Sequence, residues 1–534
     1  MTVQDATASG PTGHQLIGAQ DVPGTGEEFH AVAPRSGERL DPAYRFGVEA
    51  DVDRAAALAW EAFGTYRETD RETRAAFLES AADRIDGLGT TLTDRVTAET
   101  GIPEARVRGE LARTTNQLRL FARVVREGGW LGARIDPAIP DRTPLPRPDL
   151  RQRQIPLGPV AVFAASNFPL AFSVAGGDTA SALAAGAPVV VKAHPFHPGT
   201  SELVGRAIQA AVAEHGLPEG TFSLLHGGRE LGVALVTDPR IRAVGFTGSR
   251  QGGLALVAAA AARPVPIPVY AEMSSVNPVF LLPGALRDKA KDLGPAYVAS
   301  LTTGVGQLCT SPGLVFAVEG DGLDAFIESA AAALQETAAA PMLNPGIQQA
   351  YDSGVQRLGG LDAVTELARG GTDPAIACGG RAALFVTDGA AFLADPALQE
   401  EVFGAASIVV RVRDQAQLLE IAESLEGQLT ATVHATLDDH GPAAELLPRL
   451  ELIAGRVVFN GWPTGVEVGH AVVHGGPFPA TSAPATTSVG SRAIERFLRP
   501  VSYQDVPADL LPAELRDGNP LGIWRRVDGE LGRD

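Results

Sequence analysis

The pattern of hydrophobic and polar positions changes its period along the chain. From residue 48 to 128 the pattern is helical: Leu78, Ala81 and Ile85 occupy positions i, i+3 and i+7, with charged residues between them. Seven prolines between residues 137 and 159 then exclude a helix and favour an extended connector or an edge strand. We therefore expect an architectural break in this proline-rich stretch.

After the break, short apolar runs alternate with alanine-rich helical stretches. This alternation predicts a parallel sheet with both faces covered by helices, and a second stretch of the same kind follows Glu272. We expect an α/β fold of two open lobes, with a less regular tail from about residue 481 that wraps another lobe or subunit. The predicted strands are 160–165, 188–193, 221–225, 241–246, 314–318, 406–412, 429–436 and 456–460, and helices are predicted at 201–215 and 414–425.

Composition narrows the function. The 534 residues are 45% hydrophobic and 20% charged, which suits a large chain with a sizeable core. A net charge of −19 repels phosphate backbones and anionic membranes, so neither nucleic acid nor a membrane is an expected partner. The start, from Met1 to Asp5, lacks the basic and apolar parts of a secretory signal, and two cysteines cannot form a disulfide framework. We expect a cytoplasmic protein.

Cys309 is the first candidate for chemistry. It lies in a glycine-rich turn, residues 304–312, and a thiol on such a turn can present its sulfur and its backbone N–H to a carbonyl group. The competing interpretation is a small buried hydrophobic residue. Cys378 has no comparable surroundings and is interpreted as structural.

Two polar residues at strand ends are further candidates. Glu272 ends an apolar strand, where a carboxylate is either paired or has a raised pKa, and both situations suit a general base. A salt bridge at the rim is the alternative. Asn167 follows the strand that opens the first sheet, so its amide N–H could stabilise an oxyanion, or it could simply form a turn.

Two other strand ends suit a phosphate-bearing ligand. Lys192 could bind a ribose hydroxyl or a phosphate, or extend into solvent. The run Phe-Thr-Gly-Ser at Phe246 leads into a helix, so Gly248 and Ser249 could hold a pyrophosphate at the helix N-terminus, while Ser249 could also be an N-cap. No Gly-x-Gly-x-x-Gly fingerprint supports an ordinary Rossmann site.

Other classes of site find little support. His470 and His474 are four positions apart, but a Gly-Gly-Pro run follows at once and no third ligand is nearby in the sequence, so no metal is expected. The chain has no Gly-x-Ser-x-Gly elbow and no lysine-bearing phosphate loop. Serine hydrolases and kinases are therefore disfavoured.

Six motifs follow one another along the chain: Asn-Phe-Pro at Asn167, the strand-ending Lys192, Phe-Thr-Gly-Ser at Phe246, Glu272 followed by Asn277-Pro278, Gly-Gln-x-Cys at Gly306, and Glu-Val-Phe-Gly at Glu401. Taken together and in this order, they resemble the aldehyde dehydrogenase superfamily from about residue 47 to 500. Within it, residues 192–201, 474–481 and 519–524 are most similar to 2-oxoglutarate semialdehyde dehydrogenases and NADP-linked fatty aldehyde dehydrogenases.

The resemblance implies a division of the chain and an assembly. Residues 1–136 and 156–271 would form the cofactor-binding domain and 272–481 the catalytic domain. Residues 137–155 and 482–534 would form an oligomerisation flap and the C-terminal tail, which implies a homo-oligomer, a dimer or a tetramer.

The resemblance also implies a reaction. Cys309 would attack an aldehyde, Asn167 and the Cys309 N–H would hold the oxyanion, and hydride transfer to a nicotinamide would leave a thioester. Glu272 would activate the water that hydrolyses it. The implied substrate is 2-oxoglutarate semialdehyde. A fatty aldehyde is the alternative of the same class, and a catalytically silent structural homologue is the alternative of another class.

For the cofactor, the resemblance implies NADP as preferred and NAD as possible. Glu401 would bind the nicotinamide ribose and Phe403 would pack against that ring. Lys192 would reach the adenosine ribose, and Ser249 the pyrophosphate. Pro195 stands where many NAD-preferring members carry a glutamate that would repel a 2′-phosphate.

The hydroxyls of Thr200 and Ser201 could add donors for that phosphate.

Two departures from the family pattern concern the catalytic centre. Ser274 and Ser275 replace the usual glycine pair after the glutamate, which questions the mobility of Glu272. Ala405 replaces a proline, which would loosen the loop of Phe403.

Overall fold

The computed structural model describes residues 10–533. The prediction made from Met1 to Asp5 lies outside these residues, as do the outer ends of the predicted domain ranges. Within 10–533, no helix combines the length and apolar character of a membrane span.

The elements below are numbered in chain order. The strands are β1 His14–Ile17, β2 Gln20–Pro23, β3 Glu28–Val32, β4 Arg39–Arg45, β5 Arg134–Asp136, β6 Leu150–Pro156, β7 Val160–Phe163, β8 Val189–Ala193, β9 Phe222–His226, β10 Ala243–Thr247, β11 Val269–Glu272, β12 Val279–Leu281, β13 Leu314–Val318, β14 Ala340–Pro341, β15 Thr365–Arg369, β16 Gly379–Gly380, β17 Ala383–Asp388, β18 Ala406–Val412, β19 Gln428–His434, β20 Ala454–Phe459, β21 Leu498–Gln504, β22 Arg525–Val527 and β23 Glu530–Gly532. The α-helices are α1 Glu49–Tyr66, α2 Arg71–Gly87, α3 Gly89–Thr100, α4 Glu104–Glu127, α5 Gly177–Ala185, α6 Pro198–Glu214, α7 Arg229–Thr237, α8 Arg250–Ala261, α9 Pro283–Thr302, α10 Leu323–Gln335, α11 Pro345–Gly359, α12 Gly389–Ala394, α13 Gln415–Ser424 and α14 His440–Ile453.

The first sheet has seven strands in the order β11-β10-β7-β8-β9-β1-β2. Strands β7 to β11 are parallel, which confirms the four predicted strands, whereas the antiparallel hairpin β1–β2 at the edge was not predicted. The region predicted to be helical, residues 48–128, forms four helices, α1 to α4. Helix α2 packs against α4 and α6 and buries Phe77 and Leu78, because its apolar residues share one face.

The second sheet also has seven strands, in the order β15-β17-β18-β13-β12-β19-β20. All its pairings are parallel except that of the edge strand β15 with β17. The rings of Phe280 and Phe316 stack at 5.2 Å between centroids in its core. The strands predicted after Glu272 are confirmed, and together the two sheets confirm the expected α/β fold.

A third sheet joins the proline-rich stretch to the tail. Its order is β21-β6-β5-β22-β23, so β6 is an interior strand and the edge-strand alternative is wrong. The positions of the prolines allow β6 to be an interior strand. Within β6 only the last residue, Pro156, is a proline, so the remaining residues keep the amide donors that a ladder requires.

Strand ends position the candidate residues. Asn167 follows β7, and Glu272 is the last residue of β11. An isolated antiparallel bridge pairs Glu272 with Thr481. This bridge joins the first sheet to the segment that carries His474, beside the turn that carries Cys309.

Candidate active site

Three side chains converge at the centre of the site. The Nε2 atom of His474 lies 2.9 Å from Oε1 of Glu272 and 3.4 Å from Sγ of Cys309. The ligand-type atoms of the three residues all lie within 4.8 Å of one another. A thiol, a carboxylate and an imidazole at this range can exchange a proton directly.

The carboxylate of Glu272 is fixed on both sides. Its side chain is buried, and while Oε1 faces His474, the hydroxyl of Ser488 donates to Oε2 at 2.8 Å. The backbone N–H of His474 donates to Oγ1 of Thr487 at 2.9 Å, which holds the histidine segment in place. Glu272 therefore stands in a defined orientation toward the thiol, and the effect of Ser274 and Ser275 on its mobility stays a prediction.

Burial and charge set the resting protonation of the pair. Burial alone would raise the pKa of Glu272, but His474 and the hydrogen bonds from Ser488 and Cys309 outweigh it and lower that pKa. Burial, together with the negative charge of Glu272, raises the pKa of Cys309 well above its usual value. At rest the proton therefore stays on sulfur, and Glu272 is an ionised base beside it.

The turn carrying Cys309 is held from two directions. Asn277 donates from Nδ2 to the backbone oxygens of Cys309 and Ser311, both at 2.9 Å. Val305 adopts φ +58°, a strained conformation for a β-branched residue. Gly306, at φ +68°, lies so close to the backbone of Ala405 that a Cβ would overlap it. The thiol turn and the segment following Phe403 are thus packed against each other.

Asn167 reaches the same turn. Its buried Nδ2 donates to the backbone oxygen of Gln307 at 3.1 Å, two residues before Cys309. Its own backbone oxygen accepts from Arg106 at 3.2 Å. The structure therefore brings Asn167, Glu272 and Cys309 together as the sequence predicted.

His474 and Ser488 are the residues that sequence reasoning missed. The sequence offered no third ligand near His470 and His474, but in the folded chain Cys309 and Glu272 are neighbours of His474, whereas His470 is exposed and contacts Ser491. The available signal was the position of His474 in a run shared with a subgroup of the family. The three converging groups have the ligand chemistry of a zinc site, but all three are groups that thiol chemistry needs. The expectation of no metal stays a prediction.

The residues predicted for the adenosine side of the cofactor lie at the ends of β8 and β10, two strands separated by β7 in the first sheet. Lys192 is largely buried on β8, and burial lowers its pKa to about 8. Ser249 is the N-cap of α8, since its hydroxyl accepts from the N–H of Gly252. A Cβ on Gly248 would lie 2.7 Å from the ring of Phe246, so only glycine fits this approach. These features suit a dinucleotide, with a cation and a helix N-terminus available to its phosphates.

The expected phosphate donors Thr200 and Ser201 are not available. Both are fully buried; Thr200 donates its hydroxyl to Glu99 at 2.7 Å, and Ser201 donates to the backbone oxygen of His197 at 3.0 Å. That expectation was wrong because the segment after Pro195 continues directly into α6 and turns these hydroxyls inward.

A cleft borders the turn that carries Cys309, on the predicted nicotinamide side. It has an empty volume of about 420 Å³, partly open to solvent, and its lining includes Leu308, Glu401 and Phe403. Burial raises the pKa of Glu401 to about 8, although the backbone N–H of Ser275 and the charge of Arg250 oppose the shift. A carboxyl group and an aromatic residue in the lining of this cleft suit a ribose and a nicotinamide ring.

Comparison with known proteins agrees with this geometry. Residues 22–477 match the model of the aldehyde dehydrogenase family. The chain belongs to this family, and it is therefore an oxidoreductase that acts on an aldehyde with NAD(P)+.

Individual relatives show more specifically which proteins the chain is similar to. The chain is 58% identical to "Alpha-ketoglutaric semialdehyde dehydrogenase 2" of Azospirillum brasilense over 97% of this chain and 99% of that protein. It is 47% identical to "Alpha-ketoglutaric semialdehyde dehydrogenase" of Acinetobacter baylyi over 97% and 98%. A solved 3,6-anhydro-L-galactose dehydrogenase in complex with NAP shares the fold, with a TM-score of 0.78, 20% identity and coverage of 92% of this chain and 99% of that one.

Proposed function

We propose that the protein oxidises α-ketoglutaric semialdehyde, the 2-oxoglutarate semialdehyde of the sequence analysis, to 2-oxoglutarate through a thioester on Cys309. The observation that carries the chemistry is the contact of Cys309 with both His474 and Glu272. The names of the two full-length relatives support the substrate. A fatty aldehyde substrate has no comparable support among them.

The first step forms a carbon–sulfur bond. As the sulfur of Cys309 attacks the aldehyde carbon, its proton passes to the ionised carboxylate of Glu272. The carbonyl oxygen becomes an oxyanion, and the Asn167 amide has a second N–H hydrogen to stabilise it while the first bonds Gln307. A bound NAD(P)+ would supply the hydride acceptor, and loss of hydride from the carbon attached to sulfur would leave a thioester on Cys309.

The second step breaks the carbon–sulfur bond of the thioester. Glu272 takes a proton from a water molecule, whose oxygen attacks the thioester carbonyl, and the carboxylic acid leaves as the thiolate is released. Glu272 must first lose the proton gained from Cys309. A second cleft of about 230 Å³ borders Glu272, His474 and Ser488 and is partly open to solvent, which offers that proton a path.

We propose NADP as the preferred cofactor. Lys192 is a cation at the predicted adenosine ribose, and Pro195 places no carboxylate there to repel a 2′-phosphate. NAD remains usable because Glu401, Phe403 and Ser249 would contact parts that both cofactors share.

We also propose the division of the chain implied by the resemblance. Residues 1–136 and 156–271 bind the cofactor, 272–481 carry the thiol, and 137–155 with 482–534 form a flap for a homo-oligomer. A cytoplasmic location would keep Cys309 a free thiol.

The test of this function is turnover by the wild-type enzyme. Formation of reduced cofactor is followed by absorbance with α-ketoglutaric semialdehyde, pentanal and a long-chain fatty aldehyde, each with NADP and NAD. We expect the highest kcat/KM for α-ketoglutaric semialdehyde. A higher value for the fatty aldehyde would overturn the substrate, and no reduction with any aldehyde would make the chain a silent homologue.

A further inference from the structure

Two arginines beside the catalytic centre have no role in the chemistry described above. Arg113 lies on α4, and its guanidinium carbon is 5.5 Å from the centroid of the Phe172 ring. That ring in turn lies 5.9 Å from the ring of His474. A single aromatic side chain, that of Phe172, therefore lies between Arg113 and His474, the residue that contacts Cys309.

The donors of Arg113 are unused. Its Nε and Nη2 atoms are buried and have no hydrogen-bond partner among residues 10–533. Burial lowers the pKa of Arg113, while the nearby Cys309 and the carboxyl groups of Glu110, Glu467 and Glu272 oppose the shift. A buried guanidinium with unpaired donors costs free energy unless a ligand supplies the acceptors.

Arg456, on β20, adds a second cation at the same centre. Its two terminal nitrogens donate to the backbone oxygens of Pro463 and Gly465, but its Nε is buried without a partner in the described chain. Burial lowers the pKa of Arg456; the nearby Cys309 opposes this shift and the charge of Arg113 adds to it. Both guanidinium groups thus interact electrostatically with the sulfur of Cys309.

The nearby acidic groups do not neutralise this pair. Glu110, three positions before Arg113 on α4, uses Oε1 to accept from the backbone N–H groups of Leu170 and Ala171. Burial raises the pKa of Glu110, which disfavours its ionised form. Glu467 is exposed in the segment beyond Arg456. Glu272, the ionised acid of the centre, is paired with His474 and Ser488. An anionic ligand would therefore meet guanidinium donors that no acidic side chain of the described residues uses.

We propose that Arg113 and Arg456 form a carboxylate-binding subsite that holds the far end of an acid semialdehyde while its aldehyde group reaches Cys309. The inference rests on the proposed function and explains its choice of substrate. A carboxylate can accept from two guanidinium donors at once. The alkyl chain of a fatty aldehyde would bury the same cations without giving them an acceptor.

The test compares two five-carbon substrates, α-ketoglutaric semialdehyde and uncharged pentanal, in wild type, Arg113→Gln, Arg113→Lys and Arg456→Gln. We expect kcat/KM for the semialdehyde to fall about tenfold to a hundredfold in each Gln variant, mainly through KM, and to be partly retained in Arg113→Lys. Values for pentanal should stay within a few-fold of wild type. The matched control is Arg108→Gln, an exposed arginine on the same helix, paired with Glu104.

Equal losses for both substrates, or no loss for the semialdehyde, would overturn the subsite. A second measurement needs no arginine variant: 2-oxoglutarate should inhibit wild-type oxidation of pentanal competitively and the uncharged pentanamide should not, whereas equal inhibition by both compounds would contradict the subsite. A wild type that prefers pentanal would instead contradict the proposed function. Preference for the semialdehyde without any effect of the arginine substitutions would contradict the subsite alone.

Discussion

His474 donates a hydrogen bond from Nε2 to Oε1 of Glu272 at 2.9 Å, although 202 positions separate the two residues in the chain. Both side chains are buried. This bond helps to keep Glu272 ionised beside a protonated thiol, and it makes His474 a positioning residue for the general base.

Replacing His474 should therefore change the pH dependence of the reaction. In His474→Phe the pKa of Glu272 should rise, because a group that lowers it is lost, and the acidic limb of the kcat/KM profile should move to higher pH. We expect kcat/KM at neutral pH to fall roughly tenfold to a hundredfold, the usual range for a hydrogen bond to a charged group. The matched control is His470→Phe, an exposed histidine four positions away. An unchanged profile in His474→Phe would show that the imidazole does not act on Glu272.

Glu272→Gln should separate the two chemical steps. The carboxylate is needed for the thiol proton and again for water, but only the second step regenerates the enzyme. Rapid mixing should show a burst of reduced cofactor that is slower than in wild type but reaches a similar amplitude. The steady rate should fall by about 10²-fold to 10⁴-fold, the contribution expected of general base catalysis. A steady rate within a few-fold of wild type would exclude Glu272 as the base for water.

The preference for NADP depends on charge at the adenosine ribose. Lys192→Ala should weaken NADP binding about tenfold to a hundredfold and NAD binding less, because only NADP loses a charge-assisted contact. Pro195→Glu should shift preference toward NAD by placing a like charge near the phosphate. Dissociation constants for both cofactors measure these effects, with Lys289→Ala, an exposed lysine, as the control. If wild type binds NAD more tightly than NADP, the assignment fails.

Glu401 should make NAD binding depend on pH. Its pKa of about 8 means that the carboxyl is protonated below this pH and ionised above it. Because the ionised form accepts hydrogen bonds from ribose hydroxyls and attracts the positive nicotinamide ring, NAD should bind more tightly as pH rises through 8. Titrations in Glu401→Gln should be flat, while Glu400→Gln, an exposed neighbour paired with Arg357, should behave as wild type. The same pH dependence in Glu401→Gln would assign the titration to another group.

Sequence periodicity located most of the fold, because buried parallel strands are short apolar runs. The predicted bounds of β13 and β18, 314–318 and 406–412, are identical to those observed. The attachment of the hairpin β1–β2 to the first sheet and the interior position of β6 were beyond reach, since both depend on pairing with strands far away in the chain.

The residues of the catalytic centre likewise fall into those that could be predicted from the sequence and those that could not. Asn167, Glu272 and Cys309 could be found because each sits at a strand end or a glycine-rich turn. His474 could not be assigned from local pattern, because it lies 165 positions from Cys309 and reaches it only through the folded chain. The inward direction of Thr200 likewise follows from its bond to Glu99, a residue of a helix 101 positions earlier.

The most direct measurement of the central claim is the mass of the Cys309 peptide after reaction. Glu272→Gln, whose hydrolysis step should be slow, is mixed with α-ketoglutaric semialdehyde and NADP, quenched in acid and digested. We predict one acyl group on the Cys309 peptide, formed in step with reduced cofactor and absent from Cys378. Cys309→Ala should give neither adduct nor reduced cofactor, and Cys378→Ala should leave wild-type turnover unchanged. Reduced cofactor formed without an acyl group on Cys309, or turnover retained in Cys309→Ala, would contradict the thioester mechanism.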